Sequence, residues 1–414
     1  MKRTFLSAAI AMVLPAVALA QVGLPALRAL PLPTAPFGRL LESIDTLGPR
    51  ELGRVLERAR LDRLSDFIRN NPREVMADDQ RLPAVRGVLL VTGADEAALG
   101  PLVSHGFALI EQVDIKDLDL SYARVAIPAG VRPGAAAERL RRLLPGADVA
   151  FDSYYLPTGV ASAAADSASS GASSRARVGV IDGGLPTGIA ATQRSFASPA
   201  PVASAHTAGI ASLISGKAPQ RSAAPGAVLV VADVYGTGPG GGSASAIARA
   251  LGWMVEQKVP VVVLSLVGPD NPLMRAAVRG AQGRGTIIVA AVGNDGPASP
   301  PSYPASLPGV LAVTGTDIRG RLLPEAGNAL HVDFAAPASG IKALDARGRM
   351  VAVRGTSFAA PLVAGRLAQH YPRADLAAIR PAVLALINEA RDLGSKGRDV
   401  RFGHGLICGE CGAR

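Results

Sequence analysis

Three short stretches of the sequence could together activate a hydroxyl group. Val178-Gly179-Val180-Ile181-Asp182-Gly183-Gly184 ends an apolar run on a carboxylate. His206-Thr207-Ala208-Gly209-Ile210-Ala211-Ser212 opens a small-residue segment on a histidine. Gly355-Thr356-Ser357-Phe358-Ala359-Ala360-Pro361 places a serine where a helix should begin. A serine hydroxyl is a weak nucleophile until a base takes its proton, and an imidazole base needs a carboxylate to fix its tautomer and stabilise its charged form. A serine at a helix N-terminus also faces free N–H groups and a dipole that favours a developing oxyanion. Singly, each stretch has an ordinary explanation: a strand-end turn, a packed histidine, an N-cap. In the order Asp, His, Ser within one β/α unit, they point to a nucleophilic triad of Asp182, His206 and Ser357.

Such a triad needs a scaffold that brings strand ends and helix starts to one edge. After Arg175, continuous apolar runs at 177–181, 227–231, 259–266, 286–291 and 310–314 read as strands buried on both faces. Helical stretches at 243–257 and 271–282 lie among them. The expected fold class is α/β, a mostly parallel sheet with helices on both faces, over residues 175–414. Upstream, 88–91 reads as a strand, 94–105 as a helix, 108–113 and 120–127 as strands, 135–144 as a basic helix and 147–151 as a strand. That β-α-β-β-α-β order predicts a small ferredoxin-like domain over residues 85–155. Residues 21–84 form a Pro-rich leader and a helical segment, in which Gly48-Pro49 separates two helices. The arginines mixed with acidic residues there predict a solvated, salt-bridged face. The Ala/Ser-rich stretch 156–174 predicts a flexible linker.

With these elements set out, the motifs from about Arg175 to Ile407 resemble those of the subtilisin-like serine peptidases, the subtilases. The Gly355–Pro361 stretch is close to the family's nucleophile motif. The order Asp, His, Ser is that of subtilisin and not of chymotrypsin or the α/β-hydrolases, and no Gly-x-Ser-x-Gly elbow occurs. Ala290-Ala291-Val292-Gly293-Asn294-Asp295-Gly296 is similar to the stretch carrying the family's oxyanion asparagine, which implies Asn294 in that role. Leu264-Ser265-Leu266-Val267-Gly268 is similar to the family's substrate strand. It implies that Ser265, Leu266 and Val267 pair with an extended peptide. Pro304-Ala305-Ser306 and the stretch Gly397-Arg398-Asp399 to Gly403-His404-Gly405 are also similar to the family. The resemblance implies a serine endopeptidase working through an acyl-enzyme, with Ser357 as nucleophile, His206 as base then acid, and Asp182 orienting it. It also implies that the 85–155 domain is a propeptide, an intramolecular chaperone and inhibitor.

The departures define the rival expectations. The family's histidine motif usually reads His-Gly-Thr, whereas His206 is followed by Thr207-Ala208. With His206 in the catalytic position, Ala211-Ser212-Leu213-Ile214 and Gly216 also match. A slide of three residues leaves Ala203 there and predicts a catalytically impaired binding module. A lipase or esterase would use the same chemistry on ester substrates. Gly183 stands where Ser or Thr is usual, which removes a supporting hydrogen bond. Val267 and Val292 stand where Gly and Ala are usual, and predict a narrowed first specificity pocket.

Composition bounds the rest. With 414 residues, 49% hydrophobic and 18% charged, the chain is too apolar for disorder and long enough for two or three domains. A net charge of +10 favours anionic surfaces, but no nucleic-acid motif accompanies it and no nucleic-acid partner is expected. Gly236-Thr237-Gly238-Pro239-Gly240-Gly241 matches a dinucleotide fingerprint, yet the acidic residue due about 20 positions later is missing, so a substrate-flanking loop is expected. Cys408 and Cys411 are too few for a thiolate zinc site and predict a small terminal disulfide. No cofactor or metal is expected, and no acidic cluster resembles a calcium loop. Met1-Lys2-Arg3, an apolar run and Ala18-Leu19-Ala20 give a signal-peptide pattern over residues 1–20. The expected location is secreted or periplasmic, with a mature form that does not span the membrane. The expected partners are a protein or peptide substrate and the chain's own N-terminal domain.

Overall fold

The computed structural model describes residues 48–157, 159–162, 176–216, 221–238 and 242–412. The expectations for the signal peptide, the leader, linker residues 163–175 and loop residues 239–241 fall outside them. Helix α1 (Pro49–Asn70) starts on a proline, whose missing N–H is harmless in a first turn. Strands β1 (Val75–Ala77) and β2 (Pro83–Thr92) follow, then α2 (Glu96–Leu99), β3 (Ala108–Ile115), β4 (Leu120–Ala126), α3 (Pro133–Leu143) and β5 (Asp148–Ser153). All their pairings are antiparallel, with β2 between β4 and β5 and β3 on the outer side of β4. The expected β-α-β-β-α-β order is present, although the sheet begins at Val75, before the boundary expected at residue 85. The helix expected over 94–105 breaks into α2 and a 3₁₀ turn at Gly100–His105. Pro101 has no N–H to continue the α-helical ladder.

Residues 156–157 and 160–162, expected to open a linker, instead form strands β6 (Leu156–Pro157) and β7 (Val160–Ser162). The larger unit then runs β8 (Arg177–Asp182), β9 (Ala191–Ser195), α4 (Ala205–Ser215), β10 (Val228–Asp233), α5 (Ala244–Glu256), β11 (Val261–Leu264), β12 (Leu266–Val267), α6 (Pro272–Gly283), β13 (Ile287–Ala291), β14 (Leu311–Thr316), β15 (Phe334–Pro337), β16 (Ile341–Leu344), β17 (Met350–Arg354), α7 (Ala360–His370) and α8 (Ile379–Glu389). Seven strands form one parallel sheet in the order β15-β14-β13-β11-β8-β10-β9. The central strands are buried along their whole length because helices cover both faces. Val180 packs with Ile210, Leu213 and Val363 on one face. Ile181 packs with Ile247, Leu251 and Met274 on the other. Gly179 permits that second contact: a Cβ there would lie 2.7 Å from Met254 Sδ.

The small sheet sits on α5 and α6. Ile115 and Leu118 press onto Gly252 and Gly280, where added side chains would collide with them. Burying two such side chains contributes about 1.5–3 kcal/mol each. Asp152, fully buried, accepts hydrogen bonds from Ser245 N–H (3.0 Å) and Oγ (2.7 Å) in the first turn of α5. This is a carboxylate at the positive end of a helix. Burial nevertheless pushes the Asp152 carboxyl above its ordinary range, since its attachments offset only part of the desolvation.

Candidate active site

Asp182 ends β8, the strand between β10 and β11, at the carboxyl edge of the sheet, where open α/β sheets place their sites. Helix α4 starts beside it. Ser204 caps the helix through its Oγ, and Gly184 N–H to Val202 O (2.9 Å) and Ser204 N–H to Gly184 O (2.9 Å) lash the strand end to the helix start. The first turn of α4 therefore delivers His206 to the carboxylate. His206 Nδ1 lies 2.9 Å from Asp182 Oδ2 and 3.1 Å from Oδ1. Both side chains are nearly excluded from water, at 9% and 1% exposure. Of the two candidates, Ala203 forms a bridge with Gly184, whereas His206 meets the carboxylate. The expected loss of a supporting hydrogen bond at Gly183 is corrected too. Thr207 Oγ1 donates to Asp182 Oδ1 at 2.7 Å.

Ser357 lies in a 3₁₀ turn, Thr356–Phe358, leading into α7. Gly355 before it has φ +130°, and a Cβ there would lie 2.7 Å from Gly159 Cα and 2.8 Å from Asn294 Nδ2. Only glycine fits both the backbone angle and the space. Asn294 follows β13, and its Oδ1 accepts from Thr356 N–H at 2.9 Å, which turns its Nδ2 toward Gly355 and Gly159. Ser357 Oγ and Asn294 Nδ2 are both buried and find no hydrogen-bond partner among the described residues. Natural proteins seldom leave buried polar atoms unpaired, and a catalytic role is one reason they do. A nucleophile and an N–H donor in such a place can attack a carbonyl and hold its oxyanion. Ser265, for which only backbone pairing was expected, also supports the turn through Oγ–H to Ser357 O at 2.8 Å.

The chain itself lies in this site. Strand β6 pairs antiparallel with β12, Pro157 opposite Leu266 and Leu156 opposite Val267. Strand β7 pairs with β17, Val160 opposite Arg354. Between them, a Cβ on Gly159 would collide with Ser357 Oγ. Tyr155, fully buried, fills a slot over Gly268, where a Cβ would come within 2.6–2.8 Å of its ring atoms. Its hydroxyl donates to Pro269 O (2.7 Å), its N–H to Gly242 O (2.7 Å), and its carbonyl accepts from Tyr235 Oη (3.0 Å). Tyr235 and Gly242 flank the glycine-rich loop, so its described ends border the bound strand. Val267 abuts the position of Gly293, and Val292 is buried in the cluster that also holds Tyr155.

Sequence alone did not single out Gly159, Tyr235 or the contact made by α1. Its arginines were expected to face solvent. Arg63 instead pairs with both oxygens of Asp295 (2.7 and 3.0 Å), the residue after Asn294. Leu56, completely buried, presses on Gly296, and Phe67 meets Tyr154 edge-on in a cluster that includes Leu156. Arg60 to Glu57 does follow the expected helix-face pairing. Cys408 and Cys411 are joined as a disulfide.

Comparison with known proteins bears on what this arrangement is. The chain is 31% identical over 172 residues to the minor extracellular protease Epr of Bacillus subtilis, covering 41% of this chain but only 26% of Epr. It is 32% identical over 213 residues to subtilisin Savinase of Lederbergia lenta, covering 50% of this chain and 76% of Savinase. The fold is similar to that of fervidolysin from Fervidobacterium pennivorans, a keratinolytic enzyme related to subtilisin, with a TM-score of 0.63 at 18% identity over 80% of this chain and 61% of that one. The subtilase family model matches residues 194–405, so it contains His206, Asn294 and Ser357 and begins after Asp182, which is tied to the group by its contact with His206. On that match, the chain belongs to the subtilase family.

Proposed function

We propose that this chain is an exported serine endopeptidase whose N-terminal region occupies the site before maturation. The observation that carries this reading is the pair of unpartnered buried atoms, Ser357 Oγ and Asn294 Nδ2, at the turn where Gly159 abuts Ser357 Oγ. In the reaction, Ser357 Oγ attacks a peptide carbonyl carbon while His206 takes the hydroxyl proton. Asp182 holds the imidazole and stabilises its cation. Asn294 Nδ2 donates to the oxyanion. The C–N bond then breaks as the imidazolium protonates the leaving amine, and water releases the acyl group by the reverse proton path. Asn294→Ala should lower kcat by about 10²–10³ with little change in KM, because its donor acts mainly on the transition state. Steady-state kinetics on a chromogenic peptide check this, and a pure KM effect would contradict it.

The pairing of β6 with β12 supports a specific first substrate. Gly159, whose added Cβ would collide with Ser357 Oγ, makes the bond on its N-terminal side the one presented to the serine. The upstream residues Tyr155, Leu156 and Pro157 fill the site as a substrate would. Contacts of the small sheet with α5 and α6, and of α1 with 295–296, support an inhibitory role for the whole segment from Pro49 to Thr158. The preferred protein substrates would present an aromatic residue four positions before the cut and a small residue after it. The signal-peptide pattern and the Cys408–Cys411 disulfide support export to an oxidising compartment. No described helix is long and apolar enough to cross a membrane. Intact-mass and N-terminal sequencing of purified protein test the cleavage. The expected product begins at Gly159 and is absent from Ser357→Ala. A wild type that stays one uncut chain yet hydrolyses protein freely would make the N-terminal region a permanent accessory.

A further inference from the structure

Thr207 makes hydrogen bonds that its place in the sequence does not announce. Its side chain is fully buried in the first turn of α4, directly after the histidine. Its Oγ1 accepts from Gly183 N–H at 2.9 Å and donates to Asp182 Oδ1 at 2.7 Å. A hydroxyl has one proton, and the approach of Gly183 N–H from one side sends that proton to the carboxylate. Gly183 N–H also reaches Asp182 Oδ1 at 2.8 Å. Both donors therefore gather on Oδ1, while Oδ2 makes the shorter contact with His206 Nδ1. The arrangement requires glycine at 183: a Cβ there would lie 2.6 Å from Ser204 Cβ and 3.1 Å from Thr207 Oγ1. The hydroxyl from residue 207 thus fills the space that a side chain at 183 would take. A side chain at 183 would clash with Ser204 and crowd this hydroxyl.

We propose that Thr207 is a positioning residue of this active site, orienting the Asp182 carboxylate toward His206 in place of a hydroxyl at residue 183. The assignment rests on the serine peptidase reading. A hydrogen bond to a buried carboxylate is among the stronger kinds, and its directionality fixes the rotation of the carboxyl plane. It also draws negative charge off the carboxylate. Without it, Asp182 stabilises the His206 imidazolium more strongly, and the histidine stays protonated to higher pH. Among the described residues, Asp233, in register with Asp182 on β10, and Tyr235, whose burial keeps its phenol protonated, also lie near this carboxylate.

The test compares Thr207→Val, Thr207→Ala and Thr207→Ser in the full chain. Self-cleavage is followed as a first-order rate across pH, and kcat and KM are measured on a chromogenic peptide. Loss of the hydroxyl should lower kcat and the self-cleavage rate by about 10- to 100-fold with KM little changed. The acid-side midpoint of the pH profile should move upward. Thr207→Ser should recover both the rate and the midpoint. If Thr207→Val folds poorly, as judged by its thermal midpoint, the smaller Thr207→Ala carries the comparison. Rates matching wild type in Val and Ala, or equal losses in Ser, Val and Ala with an unmoved midpoint, would overturn the assignment in favour of packing alone. A wild type that neither cleaves itself nor reacts with a fluorophosphonate probe would instead overturn the peptidase reading beneath it.

Discussion

Ser357→Ala is expected to lose on the order of 10⁶ in kcat, the scale seen when the serine of an Asp-His-Ser triad is removed. The side chain is fully buried, so truncation removes one oxygen atom from a site held by other contacts. Asn294 to Thr356, Thr356 to Gly293 and Ser265 to Ser357 O do not use the hydroxyl. The fold and thermal midpoint should therefore persist, and so should labelling-free binding of the N-terminal region. His206→Ala should cost about as much, because the members of such a group act as a unit. The measurements are turnover of casein and labelling by a fluorophosphonate probe, on protein shown to be folded. Near-wild-type turnover by pure Ser357→Ala would end the assignment of the nucleophile.

Asp182→Asn should cost about 10⁴ in kcat while leaving the geometry nearly intact. The reason lies in the donors around the carboxylate. Thr207 Oγ–H and Gly183 N–H both point at Oδ1, so an amide at this position keeps its oxygen there and turns its NH₂ toward His206. Nδ1 of the imidazole must then accept, its proton moves to Nε2, and the ring can no longer take the serine proton. The same variant loses the negative charge that stabilises the imidazolium. Kinetics on a chromogenic peptide, with a crystal structure or thermal melt to establish folding, check the effect. A loss under tenfold would mean that Asp182 is only a structural partner of the histidine.

The two substitutions probe links that differed in legibility. Asp182, His206, Asn294 and Ser357 each sat in a short stretch whose residue types were unusual enough to be singled out. Strands β8, β10, β11, β13 and β14 were equally plain, because a strand buried on both faces must be apolar throughout. Strands β9, β15, β16 and β17 were not foreseen. Each spans only four or five positions, too few for its pattern to stand out from loop sequence. Strands β6 and β7 did not stand out for a related reason: they gain their geometry from pairing with β12 and β17, while their own composition reads as linker.

Local sequence determined the fold class of the large unit, the antiparallel order of the small one, and the identity of the reactive side chains, since these follow from periodicity and from chemistry carried within a few residues. Tertiary structure alone shows that His206 meets Asp182, because the lashing of Gly184 to Val202 and Ser204 sets which residue of that turn faces the carboxylate. It decided that the missing hydroxyl of residue 183 is supplied by Thr207, a residue 24 positions later. It also decided that Arg63 reaches Asp295, 232 residues away, and does not face water. Each of these is a contact between segments distant in the chain. The free energy of such contacts comes from burial and complementary partners, and neither is encoded in the pattern of either segment by itself.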